Sequence, residues 1–162
     1  MAAVDYFLKI EGIEGESQDH KHKGEIELLS WSWGASQSGS HSSGGGGGAG
    51  KVVMQDFHFV MKCSKASPKL MLACATGEHI KKATIVARKA GTEQQEFLKY
   101  TLSDVLVSGY QTGGSGAGDV IPTDQISFNF AKVEIEYKEQ KADGTLGGTV
   151  KAGYDIKQNK KV

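Results

Sequence analysis

Cysteine and proline are scarce in this sequence, and neither sign of charge dominates. Only Cys63 and Cys74 and two prolines occur in 162 residues. A chain of this length forms one domain by default and buries a core without disulfide staples. Two thiols at that spacing make a poor zinc site, so both are expected to be small buried hydrophobes. Lys plus Arg number 19 and Asp plus Glu number 19, so net charge is zero. That balance removes any bulk electrostatic case for nucleic acid or an anionic membrane. It also does little to resist self-association. No apolar run approaches the roughly 20 residues that span a bilayer. The opening MAAVDYFLKIEGIEGES has no basic stretch followed by a long apolar one, so it does not read as a secretory signal. Synthesis and folding in the cytoplasm are expected, where a structural disulfide is not.

Glycine is abundant, with 22 residues. Ser43–Val52 reads SGGGGGAGKV, and Gly45–Lys51 fits G-x-x-x-x-G-K, the start of a phosphate-cradling loop. The context fails. Val52 stands where a Mg²⁺-binding hydroxyl belongs, and VVMQDFHFVMK alternates as a strand, so no helix N-terminus follows. GGSGA at Gly113–Ala117 approaches a nucleophile elbow around Ser115, but a Val-Ile-Pro segment replaces the helix that motif requires. Nucleotide binding through Lys51 and hydrolysis through Ser115 are both set aside.

Period-two alternation dominates the rest. Val4, Tyr6, Leu8 and Ile10 share a face, with Phe7 opposite. Val53, Phe57, Phe59, Met61 and Cys63 share another, opposed by Asp56, His58 and Lys62. KATIVARKAG and EQQEFLKYTLSDVLV also read as strands, joined by a short link. Two strands change phase. Ile26 and Leu28 give way to Leu29, Trp31 and Trp33. Ile126, Phe128 and Phe130 give way to Val133, Ile135 and Tyr137. A β-bulge or a passage between sheets accommodates such a flip. A small barrel or a strongly bent sandwich is therefore expected. One helix interrupts the strands, ASPKLMLACATGEH. Ser67 is its expected N-cap, Pro68 its first residue and Gly77 its end. Leu70, Met71, Ala73 and Cys74 form its apolar stripe. Loops are expected at EGESQDHKHKG, Ser36–Gly50, Thr112–Asp119 and Lys141–Thr149.

Catalytic groups do not converge. His20 and His22 sit beside Lys21 and Lys23 in a charged loop and read as solvated. His58 lies on a polar strand face, and the acids form no recognisable dyad. The reading is not an enzyme, with no cofactor and no metal. Trp31-Ser32-Trp33 is more informative. Alternation places both indoles on one face and Ser30, Ser32 and Gly34 on the other. That second face is either plain solvent surface or the wall of a shared internal space, and the alternation does not choose.

A resemblance runs the length of the chain. DYFLKIEGIEGES, LLSWSWGASQSGS, GGGGGAGKV, ASPKLMLACATGEH, KATIVARKAG, VLVSGYQTGGSG and QKADG…GYDIKQN follow one another in order. Together they resemble the haemolysin-coregulated protein (Hcp) family, the inner-tube proteins of bacterial type VI secretion systems. The resemblance implies a mainly β fold: a small antiparallel barrel with one short flanking α-helix, spanning residues 1–162 as a single domain. It implies a homohexameric ring, stacking of rings into a tube, and partnership with sheath and spike proteins. Small effector proteins would be carried in the lumen, and neither nucleic acid nor membrane is an expected partner. Export without a signal peptide follows, from the cytoplasm to the extracellular space or a target cell. The chain ends soon after GYDIKQN, so no C-terminal toxin extension is expected. By the same resemblance, Ser30 and Ser32 would face lumen cargo. The extended loop over 36–51 would contact the next ring through Ser38, His41, Gly44, Gly45, Gly46, Gly47, Gly48, Gly50 and Lys51. The competing reading is a monomeric β-barrel whose two tryptophans line a pocket for a small apolar ligand.

Overall fold

The computed structural model describes residues 4–37, 51–90, 93–118 and 121–162. The strands are β1 (Val4–Ile10), β2 (Ile26–Ser32), β3 (Ala35–Gln37), β4 (Val52–Met54), β5 (Phe57–Lys62), β6 (His79–Lys89), β7 (Glu96–Gly113), β8 (Thr123–Gln140), β9 (Leu146–Asp155) and β10 (Lys160–Lys161). The one helix among the described residues is α1 (Ala66–Thr76). Six strands close on themselves in the order β8-β5-β2-β1-β6-β7, with β7 pairing back onto β8. Each described pairing around the ring is antiparallel. The expected barrel is therefore the observed one. Closure leaves the barrel itself without an edge strand.

The phase changes mark where strands bend. In β2 the register on β5 shifts between Leu28 and Ser30. Leu28 lies in the core while Leu29 is turned out, 51% exposed. This is the bulge that the alternation demands. The flip in β8 has a different origin. Phe130 and Val133 are both buried, yet β7 pairs across this point without a register shift. β7 changes phase at the same place, between Leu102 and Val105, where Asp104 takes a left-handed backbone at φ 53°. The two strands bend together. Beyond the bend, β8 leaves β5 and pairs with β9 from Lys132↔Asp155 to Gln140↔Leu146. Tyr137 is exposed because it lies past the barrel wall.

Leu8, Phe57, Met61, Leu102, Val105 and Phe128 fill the interior and are joined there by Ala66, Leu70 and Ala73 of α1. The helix departs from expectation at its start. Ser67 does not cap it; the cap position is Lys65, which makes no side-chain capping bond. Ser64 takes over, accepting from Ala66 N at 3.2 Å through its hydroxyl. Ser67 is buried instead, and its hydroxyl donates to Asp124. Gly77 ends the helix as expected, at φ 70°, with its N–H on Ala73 O at 3.0 Å. Met71 lies outside the apolar stripe and is exposed, because Leu70 and Ala73 already fill the contact.

Other expectations are corrected. Cys63 is exposed and Cys74 only partly buried, since Cys63 lies just past the end of β5. Val53 does not continue the inward face of Phe57 and Phe59; the chain breaks at Gln55–Asp56, and β4 pairs with β3 as a separate two-stranded ribbon. Ser36 thus starts in a strand rather than a loop. β7 runs on to Gly113, and β9 begins at Leu146, so both neighbouring loops are shorter than the sequence suggests.

Candidate functional site

Ser30 and Ser32 lie where alternation places them, exposed on the outer face of β2. They pair with Val60 and His58 of β5. Beyond β5, Gln125 and Ser127 of β8 present the same outer face. Together these side chains wall a shallow concavity of about 410 Å³. Gly109 of β7 keeps it open, since a Cβ there would meet Ser127 Oγ at 2.5 Å. Below its rim, Asp56 accepts from Ser108 Oγ at 2.7 Å and from Asn129 Nδ2 at 3.0 Å. Burial and the nearby Asp124 carboxylate push the Tyr110 phenol up. The wall offers hydroxyls, amides and one imidazole, groups that can donate or accept hydrogen bonds, beside the apolar Val60.

The indoles behind the serines are packed. Trp31 stacks on Phe57 with centroids 5.7 Å apart and meets Tyr6 and Tyr100 edge-on. Trp33 packs against Tyr100 and Phe130, and its Nε1 donates to Gln55 O at 3.0 Å. They pack against the core from partly buried positions, and Trp33 also lines a hollow of about 180 Å³ with Met54, Val133, Ile135 and Tyr154.

Of the loop residues, Lys51 is exposed and precedes β4, so a strand rather than a helix follows the glycine run. Ser38, His41, Gly44, Gly45, Gly46, Gly47, Gly48 and Gly50 lie outside the described residues. Ser115 follows β7 and precedes a turn at Gly116 and Ala117, and no helix follows it among the described residues. Among the described residues, no group of three or more His, Cys, Asp or Glu is arranged to hold a metal. No helix among the described residues is long and apolar enough to cross a membrane.

Two polar clusters were not foreseen. His22 is not solvated: it is 6% exposed, stacked on Phe7 at 4.3 Å and bonded to Glu25 and Glu96. Arg88, also buried, holds Asp19 through two nitrogens at 2.9 and 2.8 Å and reaches Asp5 at 3.3 Å. The one available signal is Arg88 itself, a cation on a strand face shared with Val86, which requires a covering segment. Nothing in the sequence names that cover, because Asp19 lies far away in the chain.

A family model described as type VI secretion system effector, Hcp, matches residues 7–137. Over 159 residues the chain is 52% identical to the protein hcp1 of Pseudomonas aeruginosa, covering 97% of this chain and 98% of that one. The crystal structure of Hcp1 from Salmonella typhimurium superposes with a TM-score of 0.84 at 42% identity, covering 99% of this chain and 100% of the other. A further solved structure, of a type six secretion system protein, gives a TM-score of 0.93 at 31% identity over 99% and 100% of the two chains.

Proposed function

The chain belongs to the Hcp family of type VI secretion proteins, and on that premise we propose that it is a structural subunit of the secretion system's inner tube. Six copies close into a ring, and rings stack head-to-tail. A contractile sheath drives the tube and a spike caps it. The protein resides in the cytoplasm before firing and outside the cell, or in a target cell, afterwards. The observation that carries the reading is the serine face. Ser30 and Ser32 stand outside the barrel, on a concave wall that mixes hydroxyl, amide and imidazole side chains with the apolar Val60. A subunit of a hollow ring needs one such face for the lumen, where cargo of varied chemistry passes. Ser30 and Ser32 are the residues that touch small effector proteins there. The glycine-rich loop, including Ser38, His41, Gly44–Gly48, Gly50 and Lys51, reaches the neighbouring ring.

The test combines native mass spectrometry with electron microscopy. A mass of six chains supports the ring; a monomer supports the apolar-ligand barrel and sinks the tube. Deleting Gly45–Gly48 leaves the hexamer and abolishes tubes. Loss of hexamers in that variant assigns the loop to the within-ring contact instead.

A further inference from the structure

Residues 11–25, between β1 and β2, fold against the outside of the barrel. Phe7 points away from the interior, and the His22 ring lies on it, 9° from parallel. The segment carries its own backbone bonds, Gly24 N to Ser17 O at 2.9 Å and Ser17 N to Glu25 O at 2.9 Å. Two fastenings hold it to the wall. One is the forked Asp19–Arg88 pair. The other is His22, whose Nδ1 lies 3.0 Å from both oxygens of Glu25 and whose Nε2 lies 2.7 Å from Glu96 Oε1 at the start of β7.

Hydrogen-bond accounting at His22 has one simple solution. Ionised carboxylates only accept, and a neutral imidazole has a single N–H. Bonds to Glu25 and Glu96 together need the doubly protonated ring. We propose that His22 is the proton-sensitive pin of a clasp: doubly protonated, it fastens residues 12–25 to Glu96, and on losing one ring proton it releases a carboxylate and loosens the segment.

The charges around the pin favour this arrangement. Glu25 and Glu96 face it directly, from the segment and from β7. Arg88 of β6 lies over the same Phe7 ring at 4.7 Å, but its charge is answered by Asp19 and by Asp5 of β1. Lys21 and Lys23 beside His22 are exposed, and so is His20. The Arg88 fork keeps its charge whether or not His22 holds its second ring proton, so the segment frees its His22 end and stays tethered at Asp19. That end is bonded across the segment to Ser17, through Gly24 N and Glu25 O, and so reaches a neighbouring groove. Glu16, Ser17 and Gln18 of the segment line a hollow of about 420 Å³ together with Ile26, Leu29 and Ile121. The proton on His22 therefore sets one wall of a groove with an apolar side. The clasp stands on this chain alone, whether or not copies assemble.

Hydrogen exchange followed by mass spectrometry, corrected for the intrinsic pH dependence of exchange, tests it on the full chain. Protection of peptides over residues 12–25 should fall about tenfold from about pH 5 to about pH 8, while peptides from β7 and β8 hold theirs. Glu96→Gln offers an amide that accepts from one ring form and donates to the other, so the pH dependence should largely vanish. His22→Phe keeps the stack on Phe7 without the proton and should also abolish it. A flat wild-type profile, or an unchanged profile in Glu96→Gln, overturns the clasp. If His22→Phe fails to fold, Glu96→Gln decides alone, since its side chain is already half exposed.

Discussion

Lys157 Nζ donates to Asp104 Oδ2 at 2.6 Å, fastening the turn after β9 to the point where β7 bends. The second Asp104 oxygen lies 2.8 Å from His79 Nδ1 on β6. A left-handed backbone in mid-strand is costly for most residues, and here its carboxylate gathers three segments around it.

The Lys157 bond, and after it the His79 bond, hold the Asp104 carboxyl below the usual carboxylate range. A depressed folded value stabilises above the unfolded range and is lost as pH falls through the folded one. At neutral pH, Asp104→Ala should melt below Lys157→Ala, and both below wild type. The gaps should narrow in acid. Asp104→Gly should melt above Asp104→Ala, because glycine adopts the left-handed backbone freely. An Asp104→Ala variant as stable as wild type would show that the bend does not need this residue.

Asp19 gives the same sign more strongly, since the Arg88 fork holds its carboxyl far below the usual range despite burial. Asp19→Asn removes the charge and one of the two acceptors, and leaves Asp5 as the one carboxylate on the buried guanidinium. Removing one partner of a buried pair costs about 3 kcal/mol. Urea denaturation at neutral pH should record that loss, and the difference should shrink in acid as wild-type Asp19 takes up its proton.

Ser67→Ala tests the buried Asp124. That carboxylate is fully buried, and its remaining side-chain partner is the Tyr110 hydroxyl at 3.5 Å. An unsatisfied buried acceptor costs about 1–3 kcal/mol. The loss should appear in the denaturation midpoint with little change in slope. A loss no larger than that of an exposed serine would mean that Asp124 is satisfied in another way.

Ser32→Gln and Trp31→Ala separate wall from core. Ser32 is exposed, so adding bulk should shift stability by less than about 0.5 kcal/mol. Under the tube reading, rings form and co-purification of lumen cargo falls. Trp31 is half-buried in an aromatic stack, so Trp31→Ala should cost about 3 kcal/mol. Equal losses in the two variants would place Ser32 in the core.

The barrel was legible because its strands are half-buried: Leu8 and Ile10, or Phe57 and Phe59, announce a face by alternating with polar neighbours. The Leu29 bulge was legible as a slip in that alternation. Ser67 was misread because a serine before proline suits an N-cap, while the buried Asp124 that claims it comes from a distant strand. His22 was misread for the same reason. Its neighbours in sequence are lysines, while its neighbours in space are Phe7 and Glu96. Local pattern reports which way a side chain points, and long-range pairing decides what it meets there. The serine face sits between these cases: its outward direction was readable, but the curvature that makes it a wall needs β5, β7 and β8 in place.

The order of strands around the barrel also dictates an order of events during synthesis. β6, β7, β8 and β9 follow one another as neighbours and form from local contacts. β1, β2 and β5 make a second set, and both of its flanks join the first: β1 lies on β6, and β5 lies on β8. The ribosome delivers the second set first; β1 gains its partner when β6 emerges, while β5 waits for β8. Non-local seams close slowly because the chain between them must be ordered first. A nascent chain stopped after α1 therefore carries two naked strand margins at once, and the time spent before the later meander arrives is when a holding chaperone has the most to protect.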